Sequence, residues 1–269
     1  MKKVAQDLAK ISAVGLSATA MALIVGLAAP SAARADEAYA KSQLKAMSDY
    51  LAAQEAISFG FDAYLEVVTT DQQKIGLASS GTATLNRPDK IRATRTGGFT
   101  DVEMLFDGKT ATVFGKTANI YAQIDVPGTI DHLIDELRDT YAMPLPAADL
   151  LMSNPYDEMM ANVVDTKDLG GGVVGGVACD HFAFRTKEVD WQIWIAEGDR
   201  PYPCLYVITT KDVAGEPQYR VQVRDWKTGE DVASDEFTFK NSTKAEKIDP
   251  KDLPRIGDLP KHFEKGAAQ

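Results

Sequence analysis

Alternation with a period of two constrains this chain more than any other feature of its sequence. Ile57, Phe59, Phe61, Ala63, Leu65 and Val67 fall on one side of an extended run, with Ser58, Asp62 and Glu66 on the other. Successive side chains of a strand point to opposite faces, so this run is a strand with one dry and one wet side. The pattern recurs where Leu77, Ala83 and Leu85 alternate with Ser80, Thr82, Thr84 and Asn86, and again where Tyr219, Val221 and Val223 alternate with Gln218, Arg220, Gln222 and Arg224. Arg87-Pro88-Asp89 turns the chain into a further run at 91–96, which Gly97-Gly98 ends. Short runs follow at 101–106, 110–115 and 119–125, punctuated by Asp107-Gly108 and by residues 116–118. Strands this short, with turn residues this close together, predict an antiparallel meander. After residue 163 the strands resume, at 163–168, 173–186, 188–196, 203–210, 217–226 and 233–240.

Two segments follow the helical period instead. Residues 39–55 place Leu44, Met47 and Leu51 on one face, and residues 127–143 do the same with Ile130, Leu133, Ile134, Leu137 and Tyr141. Thr129 is a suitable N-cap, Asp131 lies in the first turn, and Pro144 and Pro146 end the helix. A second helical stretch at 147–161 is interrupted at Asn154-Pro155. The expected fold is mainly β (α+β): one large curled antiparallel sheet, an unclosed half β-barrel of about 11 strands, covered by an N-terminal helix and a central helical lid. A curled sheet closed by helices encloses an apolar cup, a common site for hydrophobic ligands.

The N-terminus carries an export signal. Lys2, Lys3 and Lys10 precede an uncharged stretch from 11 to 33 that ends in Ala33-Arg34-Ala35, a small-x-small pattern that predicts cleavage before Asp36. The rival reading is an uncleaved membrane anchor, since 23 uncharged residues are long enough to span a bilayer. The domain reading is a signal peptide at 1–35, a half-barrel domain at 36–240 and a loosely ordered tail at 241–269. The tail holds Pro250, Pro254 and Pro260 among many charges. A formal charge of −10 in the whole chain argues against nucleic acid and against docking on an anionic membrane face. Removing the signal removes four basic residues and one acidic residue, leaving 25 basic against 38 acidic and a net charge of −13.

Export makes Cys179 and Cys204 read as one disulfide, with free thiols as the alternative. Three histidines and two cysteines leave little material for a metal site, and neither a metal nor a cofactor is expected. Gly170-Gly171-Gly172-Val173-Val174-Gly175 has the spacing of a dinucleotide loop, but a β-like run follows it instead of a helix, so it reads as a hairpin turn. His132 lies near Asp131 and Asp135, and His181 beside Asp180. No nucleophile elbow accompanies either histidine, and no catalytic residue is assigned.

Four of the six methionines after residue 35, Met143, Met152, Met159 and Met160, sit in the helical insertion. They read either as an adaptable apolar lining or as filling for an irregular core. Arg87 lies by parity on the apolar side of its strand, where a guanidinium needs a carboxylate, a lid carbonyl or a ligand headgroup; otherwise it escapes at the rim beside Pro88. The candidate ligand-binding residues are Phe59, Phe61, Leu65, Leu85, Arg87, Met152, Met159, Tyr219 and Val221.

Residues 80–92, with their Arg87-Pro88 turn, and the later Asp107-Gly108-Lys109 hairpin resemble the periplasmic lipoprotein-carrier (LolA/LolB-like) superfamily. The segments Asp190-Trp191-Gln192-Ile193-Trp194-Ile195 and Arg200-Pro201-Tyr202-Pro203-Cys204 resemble a family of predicted periplasmic proteins of unknown function. The carrier resemblance implies an unclosed barrel with a helical lid, a cavity for acyl chains, and an Arg87 that helps to hold the lid. The expected function is a periplasmic, monomeric, non-enzymatic module that binds a lipid or lipoprotein acyl chain. The alternative is a protein-interaction or sensory module whose cup docks a hydrophobic segment of an envelope protein. A hydrolase is disfavoured because the nucleophile constellation is missing. Protein recovered from the export compartment is expected to begin at Asp36; an intact mass that retains residues 1–35 would identify the anchor instead.

Overall fold

The computed structural model describes residues 32–98, 100–141, 143 and 145–255, so the signal segment up to residue 31 and the last residues of the tail lie outside the described residues. Helix α1 spans Ala32–Ala53, α2 Ile130–Asp139 and α3 Pro155–Met160, with a 3-10 turn at Ala148–Leu151 between the last two. The strands are β1 (Ala56–Val68), β2 (Lys74–Asn86), β3 (Lys90–Gly97), β4 (Asp101–Phe106), β5 (Thr110–Gly115), β6 (Ile120–Asp125), β7 (Asp165–Val174), β8 (Val177–Arg185), β9 (Val189–Ala196), β10 (Pro203–Thr210), β11 (Gln218–Thr228) and β12 (Glu246–Lys247). They form one sheet in the order β12-β6-β5-β4-β3-β2-β1-β11-β10-β9-β8-β7. Every neighbouring pair is antiparallel except β12 on β6. Two meanders, one on each side of the helical insertion, are therefore joined where β11 returns to pair with β1. The sheet ends at β12 and β7 and does not close.

Its inner face is the one that the alternation marks. Ile57, Leu85, Ile91, Phe106, Ala111 and Ile124 stand opposite one another across five strand pairs, and all are buried. Helix α1 adds Ala40, Leu44, Met47 and Leu51, and α2 adds Ile130, Leu133, Ile134 and Leu137, both at helical spacing. Complete burial of such a side chain contributes about 1.5–3 kcal/mol. The Thr129 hydroxyl accepts from the His132 amide at the start of α2, and the Ile130 amide donates to the Pro88 carbonyl at 2.8 Å. The cap and the Arg87-Pro88 turn together set where this helix enters the cup.

Several expectations are corrected. Residues 233–240 form no strand; Phe237 is buried, and Phe239 lies against Phe114 and Tyr121 on the outer face. Alternating residues bury equally well across the back of a sheet, so part of the face expected to be solvated is covered. The chain then continues into β12, inside the segment read as a tail, and extends the sheet beyond residue 240. The turn of the β7–β8 hairpin falls at Gly175-Gly176, both with positive φ (57° and 86°), while the earlier glycines lie within β7. A two-residue turn of this handedness suits glycine at both positions.

Cys179 and Cys204 meet on the outer face as two buried thiols, their Sγ atoms 2.8 Å apart. A disulfide needs about 2.05 Å, so the expected bond is not formed. The contact crosses β9 over Ala196, whose small side chain packs with both cysteines. The register shift between Pro203 and Leu205 breaks the regular pairing at Cys204.

Burial raises the pKa of both thiols, and burial likewise raises that of the Tyr206 phenol beneath the lid. In the unfolded chain a thiol ionises near pH 8.5 and a phenol near 10. Above those values the unfolded state releases protons that the folded state retains, so stability is complete below about pH 8.5 and falls as pH rises. The slope is roughly 1.4 kcal/mol per pH unit for each thiol. Under a thiol reductant the melting temperature is expected to decline from about pH 8.5 upward and more steeply above about 10; a flat profile across that range would contradict this burial.

Candidate functional site

The pairing register divides the inner face into rows. The row of Ile57, Leu85, Ile91 and Phe106 carries large side chains, all at most 2% exposed, and forms a closed floor. The next row is Phe59, Ala83, Ala93 and Met104, and the third is Phe61, Gly81, Arg95 and Val102. Space opens where Ala83, Ala93 and Gly81 replace larger residues. A Cβ at Gly81 would lie 2.5 Å from Cζ of Phe61, so only glycine allows that ring to lean across β2.

The resulting cavity holds about 230 Å³. Ile130, Leu133, Ile134 and Leu137 of α2 roof it together with Leu145, Leu150 and Leu151 of the following segment. Leu51, Tyr219, Val221, Val223 and Trp226 complete its wall. Trp226 is fixed by stacking on Phe59 and Tyr202, with centroids 5.4 and 5.1 Å away, and its Nε1 donates to Tyr50 Oη at 3.3 Å.

Of the candidates read from the sequence, Phe59, Phe61, Tyr219 and Val221 line this cavity. Leu85 belongs to the floor, and Met152 and Met159 are buried in the core behind the lining. Leu65 lies two inward-facing positions beyond Phe61, at the open end of β1 and outside the lining. Arg87 is outside it as well: its Nη2 donates to the Met152 carbonyl at 3.2 Å, and its Nε is buried without a partner. Burial lowers the Arg87 pKa, and the nearby Asp131 charge partly offsets that.

Asp131 also accepts from the Ser153 amide at 2.9 Å and from its hydroxyl. One edge of the lid is thus tied to β2 and α2 together. The other is tied by Arg138, which pairs with Asp149 at 2.6 Å and donates to the Leu145 carbonyl at 3.4 Å.

Sequence reasoning missed Ala83, Ala93, Met104, the α2 face and above all Arg95. The parity that singles out Arg87 also sets Arg95 on the side of Ile91 and Ala93, so the signal was present. The Arg95 Nε is buried and has no hydrogen-bond partner, an arrangement that costs about 1–3 kcal/mol for such a donor.

Among the described residues the remaining titratable groups form no comparable site. Asp180 faces α1, where Tyr39 Oη donates to it at 3.1 Å in an open polar groove that also holds Gln43 and Glu197. His181 faces outward, stacked on Trp194 at 3.7 Å and bonded to Gln192 at 3.0 Å, and burial lowers its pKa. Among the described residues no three metal-ligating side chains come together, and no helix is long and apolar enough to cross a membrane.

Residues 40–250 match the family described as "Predicted periplasmic protein (DUF2092)". The chain belongs to this family. Its location is the periplasm. No protein of curated function matches.

Among solved structures the family member is similar to LprF from Mycobacterium bovis, at 12% identity over 75% of this chain and 98% of that one, with a TM-score of 0.46. It is also similar to an uncharacterized conserved protein from Thermus thermophilus, at 10% identity over 78% and 99% of the two chains, with a TM-score of 0.45. A LolA superfamily protein from Nitrosomonas europaea matches at 10% identity over 74% and 97%, with a TM-score of 0.36.

The pinning of the lid has a measurable consequence. Arg87→Leu removes the bond to the Met152 carbonyl while keeping an apolar stem on β2. Hydrogen exchange of amides in the 150–160 segment is expected to speed up about tenfold, the weight of one charge-assisted hydrogen bond, with the sheet amides unchanged. Unchanged exchange in this segment would show that Arg87 does not hold the lid.

Proposed function

We propose that this protein is a periplasmic, non-enzymatic module that binds a hydrophobic ligand, a lipid or lipoprotein acyl chain, in the cavity between the inner sheet face and the lid. The observation that carries the reading is the cavity itself. Its lining is overwhelmingly apolar, and it exists because a sheet row bears Ala83 and Ala93 where a packed core would carry larger side chains. Native cores leave few voids larger than a water molecule, and an apolar space with a small number of polar groups on its wall is the usual form of a site for such ligands. With a methylene taken as about the size of a water molecule, ~30 Å³, the cavity accommodates roughly eight methylenes. A longer chain requires the lid over residues 145–160 to move, and the two tethered edges described above would be the points at which it opens. The family's location and the expected release of residues 1–35 fit the same reading, and a monomer is part of the proposal.

The test is mass spectrometry of an organic extract from protein purified out of the export compartment without detergent, paired with the variant Ala93→Phe. Wild type is expected to carry an acyl lipid in about stoichiometric amount, and the variant none, with a stability loss of about 1–3 kcal/mol from the added bulk. An empty wild type that also rejects fluorescent acyl probes would overturn the reading in favour of docking a hydrophobic segment of an envelope protein.

A further inference from the structure

We propose that Arg95 is the headgroup anchor of the cavity, so that the ligand is a single-chain amphiphile whose apolar chain ends in an anion. The inference rests on the reading of the cavity as a ligand site and adds the ligand's polarity and direction.

Four observations converge. Arg95 stands on the apolar side of β3, in line with Ile91 and Ala93, and lines the cavity. Its Nε is buried and unpartnered, while the residue as a whole is only part-buried; the stem is therefore sealed against the wall, and the outer guanidinium nitrogens reach towards water, as long cationic side chains do. Carboxylates are abundant in this chain, and Arg92, Arg138, Arg185 and Arg224 each pair with at least one. Arg95 pairs with none among the described residues, although a guanidinium on an apolar surface calls for a planar anionic partner. Finally, the rows of the sheet set a direction. The floor at Leu85 and Ile91 is closed, the widest row is Ala83 and Ala93, and Arg95 lies one row further from the floor. A chain lying with its tail against the floor would thus bring its head to Arg95.

Tyr219, on the wall of the same cavity, adds a second donor. Burial raises its pKa and keeps its hydroxyl protonated, and the Arg95 charge acts on that hydroxyl. A carboxylate or phosphate between them would meet a guanidinium and a phenol. No basic patch is required elsewhere, and on a strongly acidic protein one local cation is what makes an anionic headgroup acceptable at all.

The experiment compares two fluorescent probes with one chain, cis-parinaric acid and its methyl ester, on protein purified after export of the full chain. Wild type is expected to bind the acid at least about tenfold more tightly than the ester, as one charge-assisted contact would give. Arg95→Met should remove that preference while leaving ester affinity within about twofold, and Arg95→Lys, which keeps the charge, should restore part of it. Equal affinities in wild type would overturn the anchor and leave the cavity reading intact, and this comparison needs no variant to fold. Loss of both probes alike in Arg95→Met at unchanged melting temperature would also overturn it. If neither probe binds wild type, the cavity reading itself fails. Displacement of the acid by decanoate but not by decyl phosphate assigns a fatty acid, and the reverse assigns a phosphate-ended lipid.

Discussion

A sheet of twelve strands in a single layer has one apolar face and nothing of its own kind to cover it, and the rest of the molecule follows from that exposed area. Curling brings the strands round to face one another only in part, so the helices must do the remainder. Helix α1 covers the side of β7 and β9, and α2 with the following segment covers the side of the first meander. The sheet cannot close, because β7 and the short β12 stand at opposite ends of the order. The protein is consequently a cup with a lid and not a barrel with a filled interior.

What distinguishes a cup from a core is the size of a few side chains. On the floor, Ile57, Leu85, Ile91 and Phe106 are large and fully buried. One row higher, Ala83 and Ala93 take positions of the same parity, and α2 cannot descend to fill the space because its start is tied to the Pro88 carbonyl. The lid is held by charge and hydrogen bonding at its edges, through Arg87 and Asp131 on one side and Arg138 and Asp149 on the other. Tethers of this kind are local and directional, whereas apolar contact grows with area. The lid also buries Leu150, Met152 and Met159 in the core, so its edges and its apolar face hold it together.

Much of the fold was legible. The strands at 101–106, 110–115 and 203–210 lie where the alternation puts them, Thr129 caps the helix that Pro144 was expected to end, and Asn154-Pro155 breaks the insertion and starts α3. The site was only half legible. Phe59, Phe61, Tyr219 and Val221 were found because large apolar residues on a dry face are conspicuous. Ala83, Ala93 and Gly81 were not, because an empty place announces itself by the absence of a side chain. Leu85, Met152 and Met159 went the other way: they are as apolar as any lining residue, but register and lid packing put them inside the core. Residues 233–240 alternate like a strand and yet pack on the outer face beside Phe114 and Tyr121, since periodicity reports that one side is buried and not what buries it.

The sequence by itself determined the period of each segment, and hence an antiparallel sheet with one dry face and two amphipathic helices to cover it. Those features are local: each depends on neighbours within one or two turns of chain. Only the tertiary structure decided which residues share a row, that the row of Ala83 and Ala93 faces a helix held away from it, and that Cys179 and Cys204 approach across β9 as thiols. It also decided that Arg87 donates to a lid carbonyl while Arg95 lines the cavity. The two arginines have the same parity and the same chemistry, and what separates them is which residues the fold brings beside each, Met152 and Asp131 for one and the cavity wall for the other, which no local pattern encodes.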